Sequence, residues 1–378
     1  MSSLAGKISF KVDMKQYSML IALVCLFVVM AFLTDGGFLH ARNLTNLARQ
    51  ISINGVLAVG MTMVIITGGI DLSVGSVVAL SGIIAGYTQV SLGLSDWGAW
   101  GAFLSFAACI GTGLLCGTIN GGLVAKFKIP PFIITLGMMV MARGVALIVS
   151  DSSAISPMSA EFKWIAKGYI TPELTLFVGI AVFLTFIGIQ IRRLKDKPLN
   201  ILTFVITGVS IIAPFWAFYS DRGIPLPAFY LAIVAMVGFA LLKFFPFGRY
   251  LYAMGSNEEA AYLAGIKVVK MKWWVYGLIG ACAGLAGTIL TSRLNSASPS
   301  EGQLMELDAI AAVVIGGTSL MGGSGTILGT MIGVFLIGTL NNGMDLLGID
   351  SNIQMVIKGM IIILAVWSDS RGKKARGS

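Results

Sequence analysis

Long apolar runs decide what this chain can fold into. They lie near residues 17–34, 51–67, 76–90, 98–118, 131–150, 173–191, 200–219, 227–245, 273–291, 309–320, 324–341 and 352–368. Of the residues, 56% are hydrophobic and 11% charged, and the mean hydropathy is +0.89. A soluble domain carries about 25% charged residues, so lipid must solvate much of this chain. In lipid every backbone N–H and C=O needs an internal partner, which leaves helices or closed barrels. The runs are continuous rather than alternating, which selects helices. The sequence therefore predicts an all-α polytopic membrane protein, with 1–378 as one membrane domain and no soluble domain appended. Several runs are shorter than the roughly 20 residues of a straight span. The pairs 51–90 and 309–341 read as broken or hairpin units, after which the chain returns to the same side.

Basic residues orient the spans, because Lys and Arg collect on the cytoplasmic side. One side gathers Lys7, Lys11, Lys15, Lys126, Lys128, Arg192, Arg193, Lys195, Lys197, Lys243, Arg249, Lys267, Lys270, Lys272, Arg371, Lys373, Lys374 and Arg376. The other side holds Arg42, Arg49, Lys163, Lys167, Arg222 and Arg293. Both termini and the 246–272 loop are thus expected in the cytoplasm. The net charge of +9 is this bias, with weak attraction to anionic membrane lipid, and calls for no nucleic acid. The first run ends in Thr34-Asp35-Gly36-Gly37 without a cleavage signature, and reads as a signal anchor.

Absent motifs remove other classes. The sequence has no P-loop, no G-x-S-x-G and no H-E-x-x-H, and its one histidine, His40, sits in a loop. No ATP site and no catalytic or metal site is expected on this chain. Cys25, Cys109, Cys116 and Cys282 lie in apolar runs without metal spacing and read as buried packing. The Met residues follow helix faces and read the same way, while Trp97, Trp100, Trp164, Trp273, Trp274 and Trp367 flank spans as interface anchors.

A polar island stands out at 248–266. Asn257 can cap a helix, Glu258 and Glu259 sit where the helix dipole favours negative charge, and Gly265 sits where a left-handed stop belongs. Two turns are marginal alone, so this element must dock. Ala260, Ala261 and Ala264 would keep one face smooth for a soluble partner.

Two further stretches interrupt the oil. In Gly68–Ser76, Asp71 can accept from the backbone N–H of Ser73 or Val74, and Gly68 and Gly69 let the chain turn. The stretch is either a broken helix lining a polar passage or a capped interfacial turn. In 308–326, small residues and Gly-rich turns suggest a re-entrant half-helix containing Thr318. Asp308 reads first as an N-cap and second as a solute contact. Arg143 either snorkels to the outer interface or pairs internally, and Lys358 needs an internal partner or water. Asn341, Asn342 and Gln354 add hydrogen-bonding groups, too scattered in sequence to define a site.

Gly68–Ser76, 248–266, Glu306–Ala312, Gly316–Leu320 and Asn341-Asn342-Gly343 together resemble the permease subunit of bacterial ABC importers for monosaccharides. The resemblance covers nearly the whole chain. It departs at Ser256, where the family more often has Gly, and at Ala264, where it more often has Ser. The segment 173–222 resembles the extra helical pair of the xylose-type or multiple-monosaccharide-type branch.

That resemblance implies about ten core helices of the vitamin-B12-type importer kind plus the extra pair. It also implies a second permease copy, two cytoplasmic ABC ATPase subunits carrying the ATP and Mg, and a periplasmic sugar-binding protein. The 257–264 helix would be the coupling helix. The ATPase-coupling set is then Gly248, Arg249, Gly255, Asn257, Glu258, Ala260, Ala261 and Gly265, and Gly68, Gly69, Asp71, Ser73, Arg143, Asp308, Thr318, Asn341 and Asn342 would border the passage. Xylose or a related pentose or hexose is the expected cargo. A nucleoside or branched-chain amino acid permease, an ion-coupled sugar transporter and a membrane scaffold are the alternatives. The first two would differ in cargo and energy source, and a scaffold would not need Gly-broken helices.

Overall fold

In a computed structural model the protein is described over residues 14–193 and 201–374. Lys7, Lys11, Lys195, Lys197 and Arg376 lie outside the described residues. The helices are α1 (Met14–Leu33), α2 (Ala41–Ile66), α3 (Val74–Gly86), α4 (Gly98–Phe127), α5 (Pro131–Val149), α6 (Ala160–Lys167), α7 (Pro172–Arg193) and α8 (Ile201–Asp221). They continue with α9 (Leu226–Lys243), α10 (Pro246–Ser256), α11 (Glu258–Leu263), α12 (Val268–Leu294), α13 (Met305–Ile315), α14 (Ile327–Leu346) and α15 (Ser351–Lys374). Among the described residues 7 helices are long and apolar enough to cross a membrane, and the chain is an all-α polytopic membrane protein.

Residue packing divides the chain into two compact units, Met1–Ala48 with Tyr169–Leu226, and Arg49–Gly168 with Pro227–Ser378. In the first, α7 and α8 form the helical pair seen in the sequence at 173–222, with Phe186 and Phe204 stacked at 5.4 Å. A two-residue antiparallel pairing joins the segment entering α7 to the segment leaving α8, Tyr169 opposite Pro225 and Ile170 opposite Ile224.

The second unit is built around α3. Nearly every residue of α3 is buried, as suits a helix that is apolar all round. It packs against α4, α5 and α12, and α4 and α12 approach each other through glycines. A Cβ on Gly117 would fall 2.1 Å from Tyr276 O, and one on Gly113 2.2 Å from Gly280 O. Glycine at every fourth position lets two backbones touch, the usual basis of tight packing in lipid.

Several expectations shift. α2 begins at Ala41 rather than near 51, so Arg42 and Arg49 lie on a helix and not in a loop. Helix also replaces loop from Pro246, because Pro at the first helical position starts α10 and Gly248, Leu251 and Met254 then face inward. Cys109 and Cys116 are buried and Cys282 is half-buried, but Cys25 is exposed on α1. α13 has 11 residues, about 16 Å at 1.5 Å per residue. That is about half the hydrocarbon thickness, so α13 is a half-helix.

Candidate functional site

The island is a small, capped and packed assembly. Asn257 Oδ1 accepts from the Ala260 N–H at 2.9 Å and starts α11. Glu258 and Glu259 occupy the first turn, and Gly265, at φ +85°, reverses the chain. Lys272 Nζ lies 2.7 Å from Glu258 Oε2, tying α11 to the start of α12. This exposed pair adds little stability. The anchor is apolar: Met254 of α10, Ala261 of α11 and Val268 of α12 form one buried cluster, flanked by Ile266 and Met271.

That cluster corrects one reading. Ala261 is buried and does not belong to the free face. The outward surface carries Ala260 and Ala264 together with Tyr262 and Leu263, which are 69% and 78% exposed. Two large apolar side chains thus stand out beside a smooth alanine. Arg249 is exposed on α10.

Gly248 and Gly255 have packing roles. A Cβ on Gly248 would lie 2.2 Å from Leu242 O, where the chain turns off α9. Gly255 meets both interruptions at once, since its Cβ would lie 1.8 Å from Ile66 O and 2.5 Å from Gly323 N. The Gly323 N–H donates to Ile66 O at 2.9 Å, and the Tyr252 hydroxyl donates to Gly325 O at 2.8 Å. Burial pushes the Tyr252 phenol above its ordinary value, so it stays a donor. The end of α2, the 316–326 loop and α10 therefore share one contact.

At the first break Gly68 takes φ +77°. Asp71 is 2% exposed, and its Oδ1 accepts from Ser73 N at 2.8 Å and Ser73 Oγ at 2.6 Å. Asn120 Nδ2 on α4 donates to Ser73 Oγ at 3.0 Å. Gly69 leaves room for the Tyr276 hydroxyl, which a Cβ would approach to 2.6 Å. Tyr276 Oη and Asn120 Oδ1 are buried without a protein partner. Asp71 therefore closes a turn and belongs to a buried polar set.

At the second break Asp308 is not an N-cap. Leu304, with φ +63°, stands at the cap position of α13, and Asp308 lies in the first turn. Asp308 Oδ2 accepts from Lys358 Nζ at 3.1 Å, Asn341 Nδ2 at 3.3 Å and Asn54 Nδ2 at 3.5 Å. Residues that look scattered in sequence thus converge from α2, α13, α14 and α15. Arg143 finds internal partners. Its Nη1 donates to the carbonyls of Pro299 and Glu301, in the loop that leads into α13. Thr318 is buried in the 316–326 loop against Gly325. Asn342 is buried beside the cluster residue Asn341 in the chain. Gln354 bonds Asp345 Oδ1 and Ile349 O instead of joining the cluster.

Sequence reasoning missed Asn54, Asn120, Tyr252 and Tyr276. Asn54 and Asn120 each precede a glycine within an apolar helix. A lone amide in such a run is the signal that could have found them, since hydrocarbon leaves its polar atoms unsatisfied.

Residues 43–366 match the model of the family described as "Branched-chain amino acid transport system / permease component". The chain is 37% identical to the xylose transport system permease protein XylH of Escherichia coli K12, over 96% of this chain and 93% of the relative. It is 39% identical to the XylH of Haemophilus influenzae over 96% of this chain and 98% of that one. It is also 39% identical to the ribose import permease protein RbsC of Bacillus subtilis, over 97% and 96%. No solved structure matches. With a membrane fold, the family model spanning most of its length and permeases similar from end to end, the chain belongs to the branched-chain amino acid transport system permease component family.

Proposed function

We propose that this chain is the transmembrane subunit of an ATP-binding-cassette importer that passes a monosaccharide across the bacterial inner membrane. The observation that carries this reading is the end-to-end likeness to xylose and ribose permeases. Xylose or a related pentose or hexose is the proposed cargo. ATP and Mg belong to separate cytoplasmic ATPase subunits, a periplasmic binding protein delivers the sugar, and a second permease copy completes the path. Both termini and the α10–α11 segment face the cytoplasm in this reading, and the α7–α8 pair is an addition to a core of about ten helices.

The geometry supports reading α11 as a lever. Tyr262 and Leu263 offer an apolar ridge to a groove on the ATPase, as helix-in-groove recognition requires. A push on α11 reaches α10 and α12 through Met254, Ala261 and Val268. It reaches α2 and the 316–326 loop through Gly255 and Tyr252. Those elements carry both helix breaks, so the lever acts where the passage would open.

The test is reconstitution of the chain in proteoliposomes with an ATPase subunit and a sugar-loaded binding protein. ATP-dependent accumulation of labelled xylose or ribose is the expected result. Uptake without ATP, or uptake of leucine but neither sugar, would overturn the reading.

A further inference from the structure

Asp308 collects three donors from three helices, and the way it does so leaves two amide oxygens without a protein partner. Lys358 Nζ, Asn341 Nδ2 and Asn54 Nδ2 all point at Asp308 Oδ2. Each amide spends its N–H side on the carboxylate. Its carbonyl oxygen must then look elsewhere. Asn54 Oδ1 and Asn341 Oδ1 are both buried and have no protein partner.

Stability does not explain this arrangement. A buried acceptor left unpaired is destabilising, and here two occur around one carboxylate. A buried ion pair is often no more stabilising than well-packed apolar residues of its size, while ionisable residues within membrane segments usually mark a solute path. What the two amide oxygens lack is a donor, since neither has a protein partner. We infer that Asn54, Asp308, Asn341 and Lys358 form a hydroxyl-binding subsite for a small neutral polyol. Two solute hydroxyls donate to Asn54 Oδ1 and Asn341 Oδ1. Lys358 carries three N–H donors and gives one to Asp308, so another can serve a solute oxygen. Because Asp308 and Lys358 neutralise each other, the subsite asks for no net charge on its ligand. The inference rests on the importer reading and adds the place and chemistry of solute contact.

The test uses the complete importer in proteoliposomes, with labelled xylose and ribose and their monodeoxy analogues as probes. Asn54→Leu and Asn341→Leu should each slow uptake of the parent sugar about tenfold, a loss of roughly 1.4 kcal/mol. ATP hydrolysis stimulated by the loaded binding protein should stay within about twofold of wild type. For one deoxy analogue, variant and wild type should transport alike, because the hydroxyl that each asparagine would accept is already gone. A neutral pair, Asp308→Asn with Lys358→Met, guards against misfolding and should show the same split between uptake and hydrolysis. Equal losses for every sugar, or uptake and hydrolysis falling together, would mean a packing role and overturn the subsite. Unchanged uptake in all variants overturns it too, with the importer reading intact. A wild-type complex that moves neither sugar overturns both.

Discussion

Gly255 rests directly on the last carbonyl of α2, with the ideal Cβ position 1.8 Å from Ile66 O. The same oxygen accepts from Gly323 N at 2.9 Å. One carbonyl thus joins the helix before the lever to both broken segments. Nothing larger than hydrogen fits at this junction, and backbone, unlike a flexible side chain, cannot step aside.

Gly255→Ala should therefore force α10 away from α2. Overpacking of this kind costs about 1–3 kcal/mol. The purified protein should melt at a lower temperature, and ATP-driven uptake should drop further than ATP hydrolysis does. An alanine variant with wild-type melting and uptake would show that the junction is loose.

Tyr252→Phe removes one hydrogen bond, from the hydroxyl to Gly325 O, and leaves the ring in place. The expected cost is about 1 kcal/mol. Hydrogen exchange should quicken in the 316–326 loop and hardly change in α4. Equal exchange in both proteins would place the loop's support elsewhere.

Ala260→Arg and Gly265→Val probe the lever by different routes. Ala260 is exposed, so arginine there should leave folding intact and weaken pull-down of the ATPase subunit. Gly265 sits at φ +85° with open space around its Cβ position. Valine meets no clash, but the left-handed backbone costs it about 1–2 kcal/mol. Both variants should insert normally and consume ATP without matching uptake. Normal sugar uptake by either would remove α11 from the coupling path.

Asp71→Ala strips an acceptor from two buried donors, Ser73 N and Ser73 Oγ. Asp71→Asn keeps one acceptor oxygen. Melting temperatures should rank wild type above Asn above Ala, with alanine costing about 1–3 kcal/mol. Transport should suffer in both while the ATPase still co-purifies. Full activity in the alanine variant would make this break dispensable.

Local chemistry makes some of these features legible in the sequence. Asn257, Glu258, Glu259 and Gly265 follow capping rules that act within one helix, and the structure has each in its expected place. The inward turn of Ala261 is not legible there, because it depends on Met254 and Val268 across two chain reversals. Asp308 misleads for the same reason. Its position near a helix start looks like a cap, yet its partners come from residues 54, 341 and 358. Arg143 finds carbonyls of a loop far along the chain, which no window around Arg143 contains.

The sequence by itself determined that this chain lives in lipid as helices, that its helices break at glycines, and that one short capped helix stands apart from the oil. Those are consequences of transfer energies, backbone hydrogen bonding and φ preferences, all of which act locally. Only the tertiary structure decided that the breaks meet α10 at Ile66 and Gly323, and that three distant polar residues gather around Asp308. A polar group buried in an apolar surrounding must find its partner in space, and its neighbours in the chain, being apolar, cannot say which partner that is.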